Sequence, residues 1–157
     1  MGVQGEFDSV DRRLLLELQK DARQTNKALA AKVGVAPSTC LERVRELQAR
    51  GVIRGFRADV DPAAVGRPME AILSIQQRPA HGRQKIETLL EHVRRFPETL
   101  RVMALTGTTD FIIHVAVRDM DHLRDLVWGL TERREVARLQ SSLVFVHEEG
   151  PELMPPG

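Results

Sequence analysis

Residues 26–51 read NKALAAKVGVAPSTCLERVRELQARG, and their spacing predicts two short helices meeting at a tight turn. Leu29, Ala30 and Val33 share one side of a first helix, Gly34 breaks it, Val35 fills the turn and Pro37 opens a second helix. A helix pair crossing at a turn that holds a Gly and a buried aliphatic is the helix-turn-helix pattern. In the second helix Leu41, Val44, Leu47 and Gln48 recur at helical spacing and predict its inward face. The other side offers Ser38, Thr39, Glu42, Arg43 and Arg45, short polar groups first and cations next. That order suits a helix whose N-terminal end meets base edges and phosphates in a major groove. Ala36 stands where Ser, Thr or Asp would cap the helix, whereas Gly51 stands where a left-handed C-terminal cap is wanted.

Outward from this stretch, Asp8 or Ser9 can cap an earlier helix whose apolar stripe is Val10, Leu14, Leu15 and Leu18. Thr25 is the expected cap of the helix that ends near Val33. Downstream, Val52–Val60 alternates and is β-branched, which predicts a strand or short hairpin, the wing of a winged helix. Arg54 and Arg57 on it either touch phosphate or are simply solvated. Asp61-Pro62 and Gly66-Arg67-Pro68 mark a connector with neither helix nor strand. The expected organisation is a DNA-binding domain over residues 1–60, a linker over 61–68 and a second domain over 69–157.

The second half reads as strand 69–77, helix 83–96 stopped by Pro97, strand 100–106, the turn TGTTD, strand 111–117, a helix capped by Asp119 or Asp121 and running through Glu132, and strand 136–147. That order, β-α-β-β-α-β, is the ferredoxin-like arrangement of an antiparallel sheet with two helices on one face. Inward-pointing residues are expected at Ile86, Leu89, Leu90 and Val93 on the first helix and at Leu123, Leu126, Val127 and Leu130 on the second. Ile72, Ile112 and Val144 put aliphatics on the sheet's other face too, so a second copy of the chain is expected to cover it. The fold class is therefore α+β, an N-terminal winged helix-turn-helix joined to a C-terminal ferredoxin-like domain.

With 157 residues, 42% hydrophobic and 29% charged, the composition is that of a globular protein of one large or two small domains. No apolar run is long enough to span a bilayer, and the polar start predicts no secretory signal, so a cytoplasmic location is expected. The net charge of +1 is uninformative, but residues 1–56 hold ten Lys/Arg against seven Asp/Glu, while the remainder holds thirteen against fifteen. The cationic surplus lies with the helix-turn-helix.

Chemistry of other kinds finds little support. A single cysteine, Cys40, excludes an internal disulfide and a cysteine-based zinc site. His81, His92, His114, His122 and His147 lack metal-ligand spacing, and no metal or cofactor is expected. His114 reads as a satisfied sheet residue, and Trp128 as a core or oligomer contact or the rim of a pocket. Hydrolase, phosphate-loop, zinc-protease and dinucleotide motifs are missing. An enzyme on the ferredoxin-like half, and an architectural DNA binder without effector, are the competing readings.

The sequence resembles the Lrp/AsnC family of feast/famine transcriptional regulators. The resemblance runs from about Asp8 to Val146 and rests on VDRRLLLELQKDAR at 10–23, ALAAKVGVAPSTCLERVRELQARGVIRGF at 28–56, VDPAAVG at 60–66 and TGTTDF at 106–111. It implies a regulator that binds double-stranded DNA, forms dimers that assemble further, often to octamers, and takes an amino acid as small-molecule effector between dimers. Carried onto this sequence, the DNA contacts are Ser38, Thr39, Glu42, Arg43 and Arg45, with Arg54 from the wing. The effector residues are Thr106, Gly107, Thr108, Thr109 and Asp110, with Ser141 on the last strand. Physically, Gly107 lets backbone N–H groups approach a carboxylate, Asp110 can accept from an ammonium, and the threonines offer hydroxyls. The sequence departs from the family at Ala36, at Phe56 and at Glu135-Val136, where a Gly-Val pair is common.

Overall fold

Asp8 starts the first helix: its Oδ1 accepts from the N–H groups of Val10 (2.9 Å) and Asp11 (2.8 Å), and α1 runs Ser9–Lys20. Thr25 Oγ1 accepts from Ala28 N–H and opens α2, Asn26–Val33. The turn is held by Val35 N–H donating to Ala30 O, and by Asn26 Nδ2 donating to Pro37 O at 2.7 Å. Pro37 then begins α3, Pro37–Ala49, with Ala36 as a cap lacking any side-chain bond. At its far end Gly51 adopts φ +72°, a conformation that costs a side-chain-bearing residue steric strain. There Gly51 N–H meets Gln48 O and Val52 N–H meets Leu47 O, closing the helix in a Schellman motif.

The structure, a computed structural model, describes residues 7–78, 84–148 and 150–156, with backbone alone at 84–86. They fall into two units, Met1–Ala58 with Glu148–Gly157, and Asp59–His147. The first unit's core is Leu14, Leu15, Leu29, Ala30, Val33, Cys40 and Leu47, with Phe7, Val10, Leu18, Val35, Val44, Val52 and Ile53 packed around it. Its last residues dock on α1. Arg12 donates to the carbonyls of Pro155 (2.7 Å) and Pro156 (2.8 Å), while Gln19 accepts from Leu153 N–H and donates to Leu153 O.

The expected wing strand does not form. Val52–Val60 forms no strand and pairs with none among the described residues; Val52 and Ile53 instead fold back onto the core through Leu47 O. A β-prone sequence needs a partner ladder, and the described residues of the first unit offer none. The connector also differs from expectation. Asp61 Oδ1 accepts from Ala63 N–H and a short 3-10 turn, Ala63–Val65, follows within the second unit.

In the second unit β1 (Met69–Gln77), α4 (Gln84–Val93), β2 (Thr99–Ala104), β3 (Phe111–Val117), α5 (Met120–Thr131) and β4 (Val136–Leu143) build an antiparallel sheet in the order β2-β3-β1-β4. Ala71, Leu73 and Ile75 of β1 alternate into the core with Phe111, Ile113, Val115 and Val117 of β3, against Leu89 and Val93 of α4 and Leu123 and Leu130 of α5. Leu90, Leu126 and Val127 are half-buried beside them, as the helical spacing predicts. Asp119 caps α5, its Oδ1 accepting from His122 N–H.

Three boundaries differ from expectation. α4 ends at Val93, before Pro97, because Thr99 Oγ1 takes up Val93 O at 2.7 Å and a turn through Phe96 follows. β2 stops at Ala104. β4 stops at Leu143 instead of reaching His147 because its partner runs out: β1 begins at Met69 after Pro68, which has no N–H, and the last rung is Val144 N–H to Glu70 O. The expected second domain also loses its tail, since Glu148–Gly157 belongs with the first unit. His81, the expected helix start at Arg83 and the Ile86 side chain lie outside what is described.

Candidate nucleic-acid interface and effector loop

The two sides of α3 divide more sharply than spacing alone predicts. Cys40 and Leu47 are buried and Val44 half-buried, whereas Leu41 is 41% exposed. At about 100° per residue Cys40, Val44 and Leu47 fall within about 60° of one another, and Leu41 lies well outside that arc. Leu41 is therefore not part of the inward face assigned to it. Burial pushes the Cys40 thiol up, which keeps it protonated and unreactive.

The outward side presents Ser38, Thr39, Leu41, Glu42 and Arg45, all exposed, and Arg54 is exposed beyond the helix. Arg43 is the exception among the six expected DNA contacts. It lies toward the core, half-buried, with Nη1 3.1 Å from Asp8 Oδ2 and 3.5 Å from Asp11 Oδ1. Its charge is spent on two carboxylates of the α1 start, so it drops out of the phosphate-facing set. The first of those carboxylates titrates low. The Asp11 N–H bond holds the Asp8 carboxyl below its ordinary value, with the Arg43 charge adding to it and burial opposing. Asp11 was missed in the sequence, although Asp11, Leu14, Leu15 and Leu18 stand at i, i+3, i+4 and i+7, which places Asp11 on the buried stripe.

In the second unit Thr106, Gly107 and Thr108 are exposed in the loop joining β2 to β3, and Thr109 is half-buried. Gly107 has φ +115°, a left-handed conformation suited to glycine. Asp110 is tied into the fold: its Oδ2 accepts from Gln77 N–H at 2.7 Å, its N–H donates to Ile75 O, and its carbonyl accepts from Leu105 N–H. It thus fastens the loop to the end of β1. Ser141 is not brought to this loop through the ladder. It is exposed on the edge strand β4, opposite Leu73, with β1 and β3 between it and the strand that enters the loop. At Glu135 the family's small residue is replaced by an ion pair, Arg133 Nη2 to Glu135 Oε1 at 2.8 Å. The Glu135 carboxyl is held low, first by a backbone N–H and then by Arg133, against burial.

The sheet face away from the helices carries Glu70, Ile72 and Ser74 of β1 beside Ile112 and His114 of β3 and Met103 of β2. Glu70 Oε2 and His114 Nε2 approach to 2.6 Å, a diagonal cross-strand pair, with His147 Nδ1 at 3.9 Å from the same carboxylate. Among the described residues no group of three His, Cys, Asp or Glu side chains is arranged to hold a metal, and no helix is long and apolar enough to cross a membrane. Trp128 is exposed on α5 with Arg124 stacked 5.0 Å over its ring, so it is not a core residue of this chain.

Residues 7–54 match the family model for winged helix-turn-helix DNA-binding, and residues 70–148 that for the Lrp/AsnC ligand binding domain. The chain is similar to the HTH-type transcriptional regulator AldR of Mycolicibacterium smegmatis, 48% identical over 146 residues that cover 92% of this chain and 85% of that one. It is 30% identical to the transcriptional regulator AzlB of Bacillus subtilis, covering 95% of this chain and 94% of AzlB. Among solved structures it resembles the transcriptional regulator NMB0573 of Neisseria meningitidis in complex with L-Met, at TM-score 0.85 and 30% identity, covering 96% of this chain and 97% of that one.

Proposed function

The chain belongs to the Lrp/AsnC family of transcriptional regulators, and on that premise we propose how its two units divide the work. The α3 side of Ser38, Thr39, Glu42 and Arg45, with Arg54, enters or flanks a major groove of double-stranded DNA, and the Asp59–His147 unit joins copies and senses an amino acid. The single observation that carries the DNA reading is the division of α3: its polar, cationic side is open to solvent while Cys40, Val44 and Leu47 hold the other side in the core. Arg45 and Arg54 supply phosphate contacts, Ser38 and Thr39 donate or accept at base edges, and Glu42 can accept from a cytosine amino group.

Assembly proceeds through the helix-free sheet face, where half-buried Ile72 and Ile112 and exposed Met103 want cover. Dimers associate further, up to octamers, so that several reading helices engage one DNA segment and gain from being linked. An amino acid bound near Thr106–Thr109 shifts that assembly and hence the affinity for multi-site operators. The L-Met complex of the Neisseria relative and the match to a ligand-binding family support this reading. The regulator works in the cytoplasm, where its DNA is.

Gel shifts over a salt series test the first half: affinity for duplex DNA should fall steeply with salt, and a protein indifferent to every duplex would refute it. Calorimetric titration with the twenty amino acids, followed by gel shifts with any that bind, tests the second. DNA binding that ignores all of them would make this an architectural protein instead.

A further inference from the structure

Leu41 is the one large aliphatic side chain on the outward side of α3. It stands three residues after Ser38 and four before Arg45, so it shares their face, yet it packs into no core. Its neighbours there are Ser38, Glu42 and Arg45, groups that would hold it against a base edge and not against a protein interior. Only one base of ordinary DNA offers an apolar group to the major groove, the C5-methyl of thymine. We infer that Leu41 reads a thymine methyl, giving the regulator a preference for T at one position of each half-site. The inference rests on the DNA-reading role of α3 and deepens it by naming a base.

The chemistry accounts for what the polar neighbours leave open. Ser38 can donate or accept and so tells bases apart poorly, while Arg45 reaches phosphate or guanine. A methyl buried against Leu41 adds discrimination that hydrogen bonds at these positions lack.

The test uses the full-length protein and duplexes it selects from a random library. Each thymine is replaced in turn by deoxyuridine, which removes the methyl alone. At one thymine per half-site the replacement should weaken wild-type binding about fourfold, the worth of one buried methyl-sized group. Leu41→Ala should bind the thymine and deoxyuridine duplexes equally, and Leu41→Met should keep part of the preference. At a T·A position changed to C·G, 5-methylcytosine should bind better than cytosine to the wild type and not to Leu41→Ala. Methyl discrimination that persists in Leu41→Ala, or that no thymine shows, overturns the inference while leaving DNA reading intact. A fall in oligomer size of Leu41→Ala on sedimentation also overturns it, since Leu41 would then be covered by a second copy. Absence of any salt-sensitive duplex binding would instead remove the DNA-reading role itself.

Discussion

Arg43 of α3 stands 3.5 Å from the carboxylate of Asp11 on α1, a residue only 2% exposed. A buried carboxylate needs a compensating charge, and Arg43 supplies it across the helix interface. The two arginines two positions apart on α3 therefore have opposite duties. Arg45→Ala should weaken duplex binding and make the plot of log affinity against log salt shallower by about 0.9, one phosphate contact. Arg43→Ala should leave that slope alone and lower stability by about 1–3 kcal/mol, discounted for the guanidinium's partial exposure. Salt titrations and urea unfolding of both variants check the contrast; a flattened slope in Arg43→Ala with unchanged stability would reverse it.

The Asp8 carboxyl links the same corner to pH. Its value in the folded chain is depressed, first by the Asp11 N–H, so its stabilising contribution is present above the ordinary value of 3.8 and is lost as pH falls through the lower folded value. Asp8→Ala should cost about 0.5–2 kcal/mol near neutral pH, where cap and charge are both intact. The gap to wild type should narrow as pH falls below the ordinary value of 3.8, measured by urea unfolding across the acid range.

Ala36 has the extended backbone of a helix cap, φ −64° and ψ 147°, but no side-chain acceptor for the first turn of α3. Ala36→Ser should stabilise the protein by about 0.5–2 kcal/mol, seen as a higher melting temperature. No gain would mean that tertiary packing already fixes that turn.

Asp110 behaves as a fastener in the structure, which changes what its removal should do. Asp110→Ala leaves Gln77 N–H without its acceptor and should cost about 1–3 kcal/mol of stability. Asp110→Asn, which keeps an acceptor oxygen, should recover most of that loss. Thermal melts of both decide it; an effector response lost in Asp110→Asn at unchanged stability would restore the carboxylate to the binding role.

The helix-free sheet face gives a fifth handle. Ile112→Asp would set a charge among Ile72, Met103 and the Glu70–His114 pair on the surface proposed to join copies. Its expected effect is a smaller species on sedimentation and a loss of affinity for multi-site DNA greater than for single-site DNA. An unchanged sedimentation coefficient would move the interface elsewhere.

How much of this was legible beforehand depended on whether a residue's neighbours lay close in sequence. β1 was read at its true ends because Ala71, Leu73 and Ile75 alternate within one short run. The α3 cap and its Schellman end were legible because Pro37 and Gly51 act locally. β4 was overrun because its end is set by Pro68, far away in sequence, and the wing was drawn as a strand because β-branched residues do not reveal whether a partner exists. Leu41 was placed inward because Leu41, Val44 and Leu47 recur every three residues, although at 3.6 residues per turn it is Cys40 that joins Val44 and Leu47 on the buried arc. The ion pair of Arg43 and the fastening bond of Asp110 were not legible because each partner, Asp11 and the Gln77 amide, lies more than thirty residues away.

The tail that docks on α1 makes the Asp59–His147 unit an insertion, with both its ends returning to the same neighbour. One protease nick at either joint therefore leaves the two linked: after a cut near His147 the chain at Ala58 still joins them, and after a cut near Ala58 the tail is held by the carbonyls that Arg12 and Gln19 grip. A fragment that stops at Ala58 strips Arg12 of both its carbonyls and leaves Gln19 only its bond to Leu15 O.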